Sequence, residues 1–296
     1  VTVGTTRNGA VRIAFETLGP RDGRPLLLVM GLDSPMQWWP DGFCTLLAEH
    51  GFLVARFDNR DSGLSGRCLS RYTAMDMVDD EAAVLDALGW PSAHVVGASL
   101  GASLALGLAV RYPERVRTIV TLMGLPAGFG AVARQVRPFG LLRLALLTAR
   151  HPATAQEDLR LQAGMARMLA SPAHPFDEQW AFATARAVRA AAPGDPGAAR
   201  RQLAAMGRGA GLLRRAGEVT APLLAVQGAD DPLIRPSAAA ALVRQVPDAQ
   251  SVLYAGMGHE IPQHLWAAIA GEIARHADRP WPAGSSTATR PVSRRV

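Results

Sequence analysis

His94-Val-Val-Gly-Ala-Ser-Leu-Gly-Ala-Ser103 is the stretch whose reading decides the fold. Two β-branched apolar residues, Val95 and Val96, lead into Gly97-Ala98-Ser99-Leu100-Gly101, and an apolar run from Leu104 to Val110 follows at helical length. Arg111-Tyr112-Pro113 stops that run, because proline cannot continue a helix. Strand, sharp turn and helix in this order are the context in which Gly-x-Ser-x-Gly presents a serine hydroxyl at the carboxyl edge of a sheet. The glycines two before and two after the serine leave room where a Cβ would strike neighbouring backbone. Without that context the five residues would mark only a Gly-Ser loop. With it, Ser99 is the candidate nucleophile.

The 296 residues suit one large α/β domain carrying an insertion, and 49% hydrophobic with 19% charged residues is a globular balance. A net charge of +6 would suggest a nucleic-acid partner, but all 31 basic residues are arginine, none is lysine, and they are scattered rather than clustered with aromatics. No nucleic acid is expected. Cys44 and Cys68 form no Cys-x-x-Cys pair and no disulfide framework. No stretch reaches about 18 uninterrupted apolar residues, and Val1 to Ala10 lacks a charged-then-apolar leader, so a cytoplasmic protein with no membrane partner is expected.

Outward from the elbow, Val11–Leu18 alternates as an antiparallel strand, and the apolar runs Pro25–Met30 and Phe52–Phe57 read as strands buried on both faces. Helical spacing covers Phe43–His50 and Met75–Leu88, and Arg117–Met123 reads as a further strand. From 125 to 218 the chain changes to Ala- and Arg-rich helical stretches near 141–149, 156–169, 178–192 and 198–206. The sheet resumes at Pro222–Gln227 and Gln250–Tyr254, with helices from Ser237 and from Leu265. The expected organisation is a mostly parallel α/β core (1–124 and 219–278), a helical cap (125–218) over the sheet edge, and a disordered tail (279–296). Phe129, Phe139, Met165, Met168, Trp180 and Phe182 are candidates to line a substrate pocket beneath the cap, with Trp38 and Trp39 from the loop after the first buried strand.

A serine hydroxyl is too weak an acid to attack a carbonyl unaided, and an imidazole oriented by a carboxylate supplies the base. Of seven histidines, His259 alone sits on a glycine-flanked loop (Gly256-Met257-Gly258-His259) after the last strand. The carboxylate comes from Asp230-Asp231-Pro232. Neighbours on an extended segment point to opposite sides, so one of the two reaches His259. Asp231, held by the following proline, is the choice and Asp230 the alternative. The amides of Leu32 and Leu100 are the candidate oxyanion donors. The polar run Asp58–Ser65 is read as a network that fixes its loop. No metal or cofactor is expected, since no His-x-x-x-His or similar ligand pair occurs.

Leu28-Val29-Met30-Gly31, Trp39-Pro40-Asp41, Arg56-Phe57-Asp58-Asn59-Arg60-Asp61, His94-Val95-Val96-Gly97 and Gly256-Met257-Gly258-His259 together resemble the α/β-hydrolase superfamily, and within it enzymes of the aclacinomycin methylesterase type. The resemblance spans residues 7 to 277. It implies the α/β-hydrolase fold, an acid at Asp231, a base at His259, and a serine esterase acting on a hydrophobic, polyketide-derived ester. Ala102 departs from the pattern, where a second glycine is common. Macrolactone esterase, carbon–carbon hydrolase and perhydrolase chemistry use the same triad. A hydrolase-fold protein that binds a ligand without turnover is the reading from another class.

Overall fold

The computed structural model describes residues 1–126, 128–150, 152–209, 211 and 214–281. Eight strands form one sheet in the order β1-β2-β4-β3-β5-β6-β7-β8. In chain order they are β1 (Thr2–Asn8), β2 (Val11–Leu18), β3 (Arg24–Val29), β4 (Phe52–Phe57), β5 (Ala93–Ala98), β6 (Val116–Leu122), β7 (Leu223–Gly228) and β8 (Ala249–Tyr254). β1 and β2 form an antiparallel hairpin, β2 is also antiparallel to β4, and every later pairing is parallel. β1 was outside the sequence expectation. Its side chains are exposed or half-buried in alternation, so it carries little apolar signal.

The apolar runs of β3 to β7 follow from helices covering both faces of a parallel sheet. One layer packs α1 (Asp41–Glu49) and α10 (Trp266–Ala277) on the sheet, with Phe43, Leu47, Ile269 and Ile273 against Leu26, Leu28, Val96 and Leu224. The other packs α2 (Ala74–Ala87), α3 (Leu100–Arg111) and α9 (Ser237–Val243), with Met77, Leu85, Leu104 and Leu242 against Leu27, Val29, Val95 and Leu223. β3 lies between β4 and β5, so the chain order reverses there. In such sheets the crevice outside the carboxyl ends at the reversal is where ligands bind.

Between β6 and β7 come α4 (Phe129–Gln135), α5 (Pro138–Thr148), α6 (Ala155–Leu169), α7 (Glu178–Ala191) and α8 (Ala198–Arg208). The last four match the expected stretches to within a few residues, and α4 is an addition. Asp177 caps α7 by accepting from the Trp180 N–H, and Thr154 caps α6 by accepting from the Glu157 N–H. Arg279 pairs with Asp248 at 2.7 Å, and Arg117 lies over the Trp281 ring. The rest of the tail expected from 279 lies outside the described residues.

Candidate active site

Ser99 joins β5 to α3 with φ 54° and ψ −115°, a conformation costly for a residue with a side chain. Neighbouring backbone holds it there. The Ser99 N–H donates to the Leu122 carbonyl at 2.9 Å, and the Ala102 N–H donates to the Ser99 carbonyl at 3.1 Å. A Cβ on Gly97 would lie 2.2 Å from the Gly101 oxygen, and one on Gly101 would lie 2.2 Å from the Val29 oxygen. Both glycines are therefore required by close approach, the first closing the turn and the second seating α3 against β3.

His259 Nε2 lies 3.0 Å from Ser99 Oγ, and Nδ1 lies 2.8 Å from Asp231 Oδ2. The Asp231 carboxylate is fully partnered. Oδ1 accepts from the Leu233 and Ile234 N–H groups at 2.8 Å each, and Oδ2 also accepts from Gln227 Nε2 at 2.9 Å. Burial by itself raises this carboxyl, but His259 and the two amides outweigh it and hold Asp231 below the usual carboxylate range. Asp230 faces elsewhere, accepting from the Gly256 N–H at 2.9 Å and so tying the two loops together. It is Asp231 that meets His259.

The turn after β3 comes close to the elbow, since a Cβ on Gly31 would lie 3.3 Å from Ser99 Cβ. That brings the Gly31-Leu32 segment beside the serine, while Leu100 is the first residue of α3. The following residue, Asp33, has φ 48°, and the protein around its carboxyl pushes it up to about 7 against the opposing charge of Arg189. The run after β4 is the expected network. Asp58 accepts from the Met36 and Leu64 N–H groups at 2.7 Å each, Arg60 pairs with Asp80 at 2.6 Å, and Asp61 accepts from Cys68 N–H, Tyr72 Oη and Arg201 Nε.

Gln202 of α8 was not singled out in the sequence, yet it is wholly buried and joins the inserted helices to both loops. Its Oε1 accepts from the Asp33 N–H at 2.8 Å, and its Nε2 donates to the Arg60 carbonyl at 2.8 Å and to Ser62 Oγ at 3.1 Å. A second attachment joins α6 to the histidine loop. The His259 N–H donates to the Leu169 carbonyl at 2.7 Å, and a Cβ on Gly258 would lie 2.5 Å from both the Leu169 oxygen and the Ser171 nitrogen.

The aromatic pocket candidates separate. Trp38 meets Trp180 edge-on at 5.6 Å, linking the loop after β3 to α7. Trp39 is a core residue, fully buried and stacked on Phe43 at 6.2 Å, which corrects its assignment to a pocket. Phe139 stands 78% exposed on the outside of α5, which corrects its assignment to a pocket beneath the inserted helices. Met168 is buried against Leu233 and Ile234, and Met165 and Phe182 are half-buried. The Phe129 side chain lies outside what the structure describes. Among the described residues no group of three or more His, Cys, Asp or Glu is arranged to hold a metal ion, and no helix is long and apolar enough to cross a membrane.

A doubly wound sheet with a serine elbow at the reversal defines the class, and the family model for the alpha/beta hydrolase fold matches residues 25–262. The chain belongs to the α/β-hydrolase family and is a hydrolase. It is 33% identical over 291 residues to the rhodomycin D methylesterase DnrP of Streptomyces peucetius, covering 91% of this chain and 96% of that protein. A putative carbamate hydrolase, RutD of Variovorax paradoxus, is 32% identical over 74% of this chain and 79% of its own. Among solved structures, a hydrolase from Pseudomonas aeruginosa PA01 superposes with a TM-score of 0.73 at 21% identity, covering 94% of this chain and 98% of that one.

Proposed function

We propose that the chain is a serine carboxylic-ester hydrolase working through Ser99, His259 and Asp231. The observation that carries this is the continuous hydrogen-bonded line from Ser99 Oγ through both imidazole nitrogens to a buried carboxylate, at 3.0 and 2.8 Å. Asp231 fixes the imidazole with its proton on Nδ1, leaving the Nε2 lone pair for the serine proton. As Ser99 Oγ bonds to the acyl carbon, His259 takes that proton, and the carbonyl oxygen becomes an oxyanion held by the Leu32 and Leu100 amides. Leu100 lies at the N-terminus of α3, where unpaired N–H groups favour negative charge. Collapse expels the alcohol, which carries off the imidazolium proton. Water activated by the same histidine then releases the acid.

The substrate in this proposal is a hydrophobic ester, and the methylesterase named above, aligned along nine-tenths of the chain, supports a polyketide-type methyl ester. The inserted helices act as the cap, with Trp38 and Trp180 on the side of the loop after β3. Free, buried Cys44 and Cys68 accord with a cytoplasmic setting. The test is hydrolysis of p-nitrophenyl esters, aromatic methyl esters and macrolactones by the native protein and by Ser99→Ala. Turnover should fall about 10⁴ to 10⁶-fold in the variant with the fold intact, because triad members act as a unit. A variant that keeps most of its activity overturns the mechanism. The preferred substrate in the panel separates ester from lactone chemistry.

A further inference from the structure

Helix α5 is apolar on the wrong side. Leu144 and Leu147 face inward toward Met168, Leu233 and Ile234, as a surface helix requires. The opposite face is also apolar, with Phe139 78%, Leu142 57% and Leu146 62% exposed in one row at helical spacing, and Leu141 47% exposed beside them. Single exposed hydrophobics are ordinary, but a contiguous row marks a surface that meets something.

Charge says what. At the start of the row is a cleft of about 400 Å³ walled by Arg137, Arg143 and Arg235, with Pro138, Phe139, Met168 and Pro232 as its apolar lining. Among the described residues none of these three guanidinium groups has a carboxylate partner, and Arg137 Nε is shielded from water with no hydrogen-bond partner at all. The sequence has no Asp or Glu between Glu114 and Glu157, while Arg134, Arg143 and Arg150 are exposed along the same segment. A second copy meeting this face would bring the same arginines together. The segment 282–296 carries Arg290, Arg294 and Arg295 with no acidic residue, so it has the same charge.

We propose that α5 docks the protein on an anionic lipid surface, Phe139, Leu142 and Leu146 entering the boundary between headgroups and acyl chains while Arg137, Arg143 and Arg235 receive phosphate headgroups. An apolar row flanked by arginines is the arrangement of helices that lie in the plane of such an interface. This role is independent of the Ser99 chemistry, and it departs from the expectation of no membrane partner, which rested on the lack of a spanning segment and not on any surface. It would place the inserted helices, rather than the β1–β2 edge, against the phase in which hydrophobic esters collect.

The experiment is co-flotation of the full chain with vesicles of phosphatidylcholine alone and of phosphatidylcholine with phosphatidylglycerol. Binding is expected to the anionic vesicles only and to weaken as salt is added, since the headgroup attraction is screened. Arg143→Gln and Arg235→Gln should each lower partitioning about fivefold. Leu142→Gln with Leu146→Gln should abolish it while the melting temperature is unchanged. No binding at low salt, equal binding to both vesicles, or binding indifferent to the leucine variants overturns the proposal. A dimer in sedimentation that the leucine variants dissociate also overturns it and assigns the face to a second copy.

Discussion

Replacing Gln202 with leucine keeps the bulk of a wholly buried side chain and removes three hydrogen bonds, those with Asp33 N–H, the Arg60 carbonyl and Ser62 Oγ. The Ser62 hydroxyl can rotate to another partner, but the Arg60 carbonyl cannot. The buried Arg60 carbonyl is left unpaired while the part-exposed Asp33 N–H can turn to water, so about 1–3 kcal/mol of stability is lost. For a chain of this size that corresponds to a fall in Tm of roughly 2–5 °C. Turnover should fall as well, because Asp33 follows Leu32 directly and its amide anchors that turn. In the mechanism proposed above the Leu32 amide is an oxyanion donor, worth about 10²–10³ in rate when lost outright, so partial displacement should lower kcat by about tenfold or more with KM little changed. Gln202→Glu sharpens the test, since it keeps the acceptor for Asp33 and turns a carboxylate toward the Arg60 carbonyl. Thermal melts and p-nitrophenyl butyrate kinetics on both variants read the result. A leucine variant with native Tm and native kcat refutes the role given to Gln202.

Gly101→Ala places a methyl 2.2 Å from the Val29 oxygen and 2.7 Å from the Met30 oxygen, both backbone, so it should lower Tm sharply or prevent folding. A melting curve, or recovery in the soluble fraction, checks this. Glu81 is fully buried and neither carboxylate oxygen has a hydrogen-bond partner; burial, aided by the charge of Asp80, pushes its carboxyl well above the ordinary value. A folded value above the unfolded one gives stability that is complete below about 4.5 and is lost as the pH rises toward the folded value. Glu81→Gln should therefore flatten the decline of Tm from pH 5 to alkaline pH, and an unchanged slope would remove Glu81 as its source.

Ser99 and its glycines were legible in the sequence because the constraint is local. The turn, the strand before it and the helix after it occupy ten consecutive residues, and each glycine is demanded by backbone within a few positions or by the next strand. His259 was legible for a similar reason, lying on a loop with glycines at 256 and 258. Asp230 and Asp231 were harder, because adjacent residues share every local signal. The structure separates them by direction, one toward Gly256 and the other toward His259. Trp38 and Trp39 show the same limit in aromatics, one reaching Trp180 and the other stacking in the core.

Other features carried no local signal. Gln202 is one polar residue after two arginines on a helix, and its partners lie 140 or more positions earlier. Phe139 belongs to a helix apolar on both sides, where spacing cannot say which side is covered. β1 is an edge strand whose side chains mostly face water, so its pairing with β2 is written in backbone hydrogen bonds rather than in hydropathy.

The two fastenings of the inserted helices, Leu169 to the histidine loop and Gln202 to the loops after β3 and β4, make the insertion a replaceable part with fixed fittings. A chimera that takes α4 and α5 from a relative, or the outer faces of α6 and α7, leaves both fittings in place and should keep the proposed nucleophile Ser99 and base His259 in register. One that exchanges the whole insertion at its ends cuts the bond that the His259 amide makes with Leu169, and unseats the base along with the new specificity it was meant to bring. The backbone path through 169–171 and the side chain of Gln202 are thus what any recombination of this segment must preserve.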